Sequence, residues 1–118
     1  MGSGYMRFED LEIWQEAMKL CKEVYAALRD CRDYDLKSQA CKSAVSVPSN
    51  IAEGYERRTS KETIYFLYIA KGSCGELRTQ LYLATDFGYI EQQRGQQLIE
   101  QAVKLSIKIY HYAHSLSP

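Results

Sequence analysis

The chain is 118 residues long, enough for one domain around one core. Apolar residues make up 46%, too many for a disordered chain, and no run of eighteen of them exists to form a membrane-spanning helix. Fifteen basic residues balance fifteen acidic ones and the pI is about 6.7, which excludes a protein that grips nucleic acid through its charge as a whole.

Met1 to Tyr5 (Met-Gly-Ser-Gly-Tyr) read as an expression scar, with the native start at Met6 and one domain over 6–118. The first residues lack the charged-then-apolar order of a signal peptide, so the expected compartment is the cytoplasm. Val, Ile and Thr never alternate with polar residues over a strand's length, and the apolar period is helical throughout.

The first helix is expected from about Leu11 to Leu28. Trp14, Met18, Cys21, Tyr25 and Leu28 form one apolar stripe, and Ile13, Ala17, Leu20, Val24 and Ala27 form a second beside it. Asp10 is the expected N-cap, with Phe8 packing back as a staple. The second helix begins near Asp35 and carries Leu36, Ala40, Ala44, Val47, Ile51 and Tyr55. Pro48 lies inside this pattern; it removes one backbone hydrogen bond and collides with the carbonyl of Ala44. Because the apolar phase continues from Val47 to Ile51, a kink is expected rather than a break. Gly54 near the far end permits another backbone to come close.

Arg57 to Ser60 read as a loop, and Thr59 followed by Glu62 has the spacing of a capping box. The third helix has the most regular seam: Leu67, Ala70, Cys74, Leu77, Leu81 and Ala84. Beside it runs Tyr65, Tyr68, Gly72, Gly75, Thr79 and Tyr82, whose small centre suits a close partner helix. Gly88 is placed to end the helix in the left-handed conformation. The fourth helix spans roughly Glu91 to Ser115, with stripes Leu98, Ala102, Leu105, Ile109, Tyr112 and Ile99, Val103, Ile107, Tyr110. Short connections between such helices predict an all-α, antiparallel up-down-up-down four-helix bundle.

Little in the sequence points to catalysis. The four cysteines show no Cys-x-x-Cys pairing and read as reduced thiols. His111 and His114 are the only histidines, and neither follows a Glu at the spacing a di-iron bundle requires, so no metal is expected. Gly72 and Gly75 lie within a helix rather than in a phosphate loop. No cofactor and no small-molecule substrate are expected. Ser46, Asn50, Glu53 and Arg57 share one face of the second helix. Its structural reading, polar groups serving the backbone around Pro48, outweighs a binding role. Lys37, Lys42, Arg57, Arg58 and Lys61 are the candidate contacts for nucleic acid or a protein partner. Ten tyrosines exceed what one small core needs, and Tyr65, Tyr68, Ile107 and Tyr110 are the candidate contacts between subunits of a homo-oligomer.

Four ordered segments carry a family resemblance. They are Phe8-Glu9-Asp10-Leu11-Glu12-Ile13-Trp14-Gln15, Val45-Ser46-Val47-Pro48-Ser49-Asn50-Ile51-Ala52-Glu53-Gly54, Phe66-Leu67-Tyr68-Ile69-Ala70-Lys71-Gly72-Ser73 and Glu76-Leu77-Arg78-Thr79-Gln80-Leu81. Together they resemble the 23S rRNA intervening-sequence protein family, which includes the accessory variability determinants of diversity-generating retroelements. The resemblance covers nearly the whole chain from Met6. It implies a four-helix bundle assembled as a homopentamer with no enzymatic activity, and makes Pro48, Ser49, Asn50, Glu53 and Gly54 a signature with a structural role. For the retroelement members it implies binding to a reverse transcriptase and to RNA or DNA through basic surfaces, which is the alternative function for this chain. The chain departs from the pattern at Cys41-Lys42, where relatives often carry paired arginines.

Overall fold

Four apolar stripes become four helices in a computed structural model that describes residues 6–117: α1 (Glu12–Ala27), α2 (Tyr34–Tyr55), α3 (Ser60–Asp86) and α4 (Gln92–Ser115). A 3-10 turn at Phe8–Asp10 precedes them, and no strand occurs among the described residues. The expected all-α four-helix bundle is therefore present. The segment Met1–Tyr5, read as a scar, lies outside the described residues.

Each helix packs on the next and α4 packs back on α1, whereas the diagonal pairs stay apart among the described residues. The α3 seam sets the axis of this square. Leu67, Ala70, Cys74, Leu77, Leu81 and Ala84 are all buried, facing Val47 and Ile51 on α2 and Leu98, Ala102, Leu105 and Ile109 on α4 within one apolar core. Three contacts tie elements distant in sequence. The Tyr55 hydroxyl donates to the Met6 carbonyl (2.8 Å), the Tyr89 hydroxyl to Asp33 (3.1 Å), and Lys108 on α4 pairs with Glu16 on α1 (2.8 Å).

Local chemistry explains most helix ends. Asp33 caps α2 by accepting from the Leu36 N–H, Thr59 caps α3 by accepting from the Glu62 N–H, and Glu91 caps α4 through the Gln93 N–H. The Thr59–Glu62 pair forms half of the expected box. Glu62 turns to the Thr59 hydroxyl (3.0 Å) instead of its backbone N–H. At the other end of α3, Gly88 is left-handed (φ 81°). Its N–H reaches the Thr85 carbonyl and that of Tyr89 reaches Ala84, the paired bonds of a Schellman end.

Two expectations for α1 are corrected. Its N-cap is Leu11, with no side-chain cap, because Asp10 lies in the preceding 3-10 turn, where it accepts from the Arg7 N–H. The two stripes are also unequal. Ile13, Ala17, Leu20 and Val24 face the core, while Trp14, Met18 and Cys21 are half-buried and Tyr25 is exposed. A helix packed between α2 and α4 buries most of one stripe and leaves most of the other at the rim; the exceptions are at its end, where Leu28 of the rim stripe is fully buried and Ala27 of the core stripe half-buried. Phe8 does pack back, with its ring 5.4 Å from that of Trp14.

The α2 helix runs unbroken across Pro48, which is itself buried. Asn50 bonds locally to the backbone on the N-terminal side of Pro48. It donates to the Ser46 carbonyl (2.9 Å) and hydroxyl (3.0 Å).

Glycines at two buried positions set how closely the helices approach. A Cβ on Gly54 would lie 3.0 Å from the Phe66 Cβ and 3.1 Å from the Thr63 carbonyl oxygen, so α2 touches α3 there backbone to backbone. A Cβ on Gly95 would collide with the Thr85 hydroxyl, so at the other end the α4 backbone rests on the Thr85 side chain of α3. Gly54→Ala and Gly95→Ala should each cost about 1–3 kcal/mol of unfolding free energy in urea titrations. For Gly95→Ala, adding Thr85→Ala should recover part of the loss.

Candidate interaction surfaces

The polar stripe of α2 turns inward and along its own helix. The Ser46 hydroxyl shares a hydrogen bond with Ser73 of α3 (2.8 Å), and Asn50 donates to Ser46, so these groups satisfy one another across the α2–α3 seam. Glu53 pairs with Arg57 (2.7 Å), whose guanidinium lies 4.6 Å above the Phe66 ring and 3.9 Å from Glu62. Both members of the Glu53–Arg57 pair are well exposed, which limits it to a few tenths of a kcal/mol. Of the signature residues, Pro48 and Gly54 are buried and Asn50 half-buried, while Ser49 and Glu53 are exposed. Ser73 had a sequence signal: it precedes Cys74 of the α3 seam, at the edge of the buried face.

The candidate basic contacts do not form one patch. Lys37 lies in the first turn of α2 and Arg57 just past its last residue, twenty positions and so roughly 30 Å apart. The Lys37 ammonium donates to the Arg29 carbonyl (2.9 Å), so it closes the α1–α2 turn. Arg57 is engaged with Glu53, Glu62 and Phe66. Arg58 and Lys61 are exposed and lie together at the α2–α3 turn. Lys42 stands midway along α2, at the rim of an open groove of about 350 Å³ with Gln39, Ser43, Ser46, Glu76 and Gln80.

Burial pushes Cys74 up to about 12 and raises Cys21 and Cys41 above the ordinary thiol range, with the neighbouring Cys41 adding to the effect on Cys21. Cys31 is buried in the α1–α2 turn, its thiol 3.8 Å from the Asp33 carbonyl. His111 and His114 flank Tyr110, the second ring stacked on it with centroids 6.0 Å apart. Among the described residues no three His, Cys, Asp or Glu side chains come together as a ligand set.

Several large apolar side chains of α3 and α4 stand in solvent. Tyr65, Tyr68 and Tyr82 on α3 are 63%, 48% and 50% exposed, and Ile107 and Tyr110 on α4 are 51% and 41% exposed. Between the α3 tyrosines, added Cβ atoms on Gly72 and Gly75 would meet nothing within 4 Å, so the row of small residues forms an open notch. Leu83, Phe87 and Tyr89 extend the exposed apolar surface to the α3–α4 turn. Sequence reading missed these three: Phe87 and Tyr89 lie past the end of α3, where no helical period betrays direction, and Leu83 lies in α3 but on neither of the rows read from its sequence.

If the Ser46–Ser73–Asn50 cluster holds α2 to α3, Asn50→Ala and Ser46→Ala should each lower stability by about 1–2 kcal/mol. The paired change Ser46→Ala/Ser73→Ala should cost less than the two single changes summed, as a double-mutant cycle in urea would read.

The family model described as "23S rRNA-intervening sequence protein" matches residues 9–111. A search of curated proteins finds no match. Among solved structures, the chain is similar to a protein of unknown function from the S23 ribosomal protein family of Bacteroides thetaiotaomicron VPI-5482. The two share 16% identity and a TM-score of 0.80 over 86% of this chain and 97% of that one, a likeness in fold. With the family model spanning all four helices, the chain belongs to the 23S rRNA-intervening sequence protein family.

Proposed function

We propose that this chain is a non-enzymatic cytoplasmic scaffold that assembles with copies of itself and presents the combined surface to a protein or RNA partner. The assembly is the ring of five that the family resemblance implies. The observation that carries the reading is the exposed aromatic face of α3 and α4, where Tyr65, Tyr68, Ile107 and Tyr110 stand in solvent outside a core that is already complete. Tyrosine suits such a contact because its ring is apolar while its hydroxyl can stay wet. The non-enzymatic part is supported by the Cys74 thiol, pushed up to about 12 by burial, and by a polar seam whose groups bond to one another.

Glutamate at Tyr65, Tyr68, Ile107 or Tyr110 should yield smaller species that keep their helical circular dichroism. Light scattering that returns the wild-type mass for all four would sink the placement of the contact.

The second reading is a retroelement accessory that binds reverse transcriptase and nucleic acid. Arg58 and Lys61 favour it, since both are exposed and in no ion pair among the described residues. If Arg58 and Lys61 are the contacts, RNA affinity should fall only weakly as salt rises, with a log–log slope of roughly −1 to −2 in filter binding. No binding at low salt would rule this reading out.

A further inference from the structure

Of the four cysteines, Cys31 and Cys74 are buried, whereas Cys21 on α1 and Cys41 on α2 are half-buried. These two stand at one level of the α1–α2 seam. The short turn 28–33 folds α2 back along α1, and across it Lys37 reaches the Arg29 carbonyl (2.9 Å). Cys21 lies six positions before Ala27, the last residue of α1, and Cys41 seven after Tyr34, the first of α2. At 1.5 Å per residue both stand roughly 10 Å from the turn. Each also follows a core residue by one position, Cys21 after Leu20 and Cys41 after Ala40, which sets it at the edge of its helix's buried face.

Tyr25 joins the two edges. It stands one turn after Cys21 on the same stripe, and helical side chains lean toward the N-terminus of their helix, which carries its ring back to the level of Cys21. There its hydroxyl bonds to the Cys41 sulfur of the facing helix. The two thiols are also close enough for the charge of Cys41 to act on Cys21. Their surroundings differ. Burial disfavours both thiolates, but the Lys37 charge and the Tyr25 hydroxyl favour that of Cys41, whereas Cys21 has the Lys22 charge for it and Cys41 against it. Cys41 is therefore the readier nucleophile of the pair.

We propose that Cys21 and Cys41 form a redox modification site, where a low-molecular-weight disulfide converts the two thiols into one disulfide across the α1–α2 seam. The Cys41 thiolate attacks the small disulfide, giving a mixed disulfide and one free small thiol. Cys21 then gives up its proton and attacks the Cys41 sulfur, expelling the second small thiol. Two electrons pass to the small molecule, whose S–S bond becomes two S–H bonds, while two protein S–H bonds become one S–S bond. In a reducing compartment the pair rests as thiols and closes only when the disulfide pool rises. The crosslink ties down α1, whose hold on α4 is the slightest between neighbouring helices. It lies within one chain and is independent of self-association.

The test treats the reduced full chain with oxidised glutathione at mildly alkaline pH and reads intact mass, free thiols and peptide maps made without reductant. The wild type should lose two hydrogens in mass and yield one crosslinked peptide pair that holds Cys21 and Cys41. Closing the loop 21–41 should raise its melting temperature by roughly 5–10 °C. Cys21→Ser should stop at a glutathionyl adduct on Cys41, and Cys41→Ser should react roughly three- to tenfold more slowly. A wild type that keeps all its thiols or stops at the mixed disulfide would overturn the site, as would a crosslink between any other cysteines or between chains. A crosslinked chain that melts at or below the reduced one would overturn the claim that the native seam sets the two sulfurs within reach. Faster reaction of Cys41→Ser than of Cys21→Ser would overturn the order of attack.

Discussion

The close contact of α2 and α4 with α3 is the constraint on which the rest of the molecule depends. At Gly54 the α2 backbone rests against Phe66 and Thr63, and at Gly95 the α4 backbone rests against Thr85. These close contacts bring both neighbours onto α3, where Leu67, Cys74, Leu77 and Leu81 share one buried core with Val47, Ile51, Leu98 and Leu105. The α1 helix has no comparable notch. Its contact with α4 is the slightest of the four and is supplemented at the surface by Lys108 with Glu12 and Glu16.

Between α2 and α3 the packing changes from apolar to polar at the level of Ser46, Asn50 and Ser73. A buried hydroxyl costs little only when it is bonded, and here the two serines share one bond that fixes the helices in register. Asn50 of this cluster belongs to the segment that the resemblance marks as a signature, next to the buried Pro48 and one turn before Gly54. Three of its residues thus lie at or near the buried side of α2, while Ser49 and Glu53 are exposed. The exposed tyrosines and the Gly72–Gly75 notch have no partner within the subunit.

Much of this was legible beforehand because helical period and burial coincide when a helix has one dominant buried face. Every residue of the α3 seam predicted from its alternation of three and four is buried, and the caps at Thr59 and Gly88 follow from single-residue chemistry. The reading was weaker for α1, where two stripes of similar apolarity competed. Which one is core depends on where α2 and α4 stand, and no local pattern encodes that. Asp10 was a reasonable cap by type, but a 3-10 turn one residue long of the expected boundary took it out of position. The basic residues were gathered from sequence proximity around α2. Their separation along its length follows from the helical rise, whereas the capture of Lys37 by the α1–α2 turn emerges only in three dimensions.

The sequence by itself determined the helical class, the number of helices, the α3 seam and the absence of a helix apolar enough to cross a membrane, because each of these rests on local period and composition. Only the tertiary structure decided which polar groups are consumed internally and which aromatic rows are left in solvent. Both follow from the neighbours each helix face meets: Ser46 finds Ser73 because α2 lies against α3, and Gly72 finds nothing because no helix of the same subunit reaches that side.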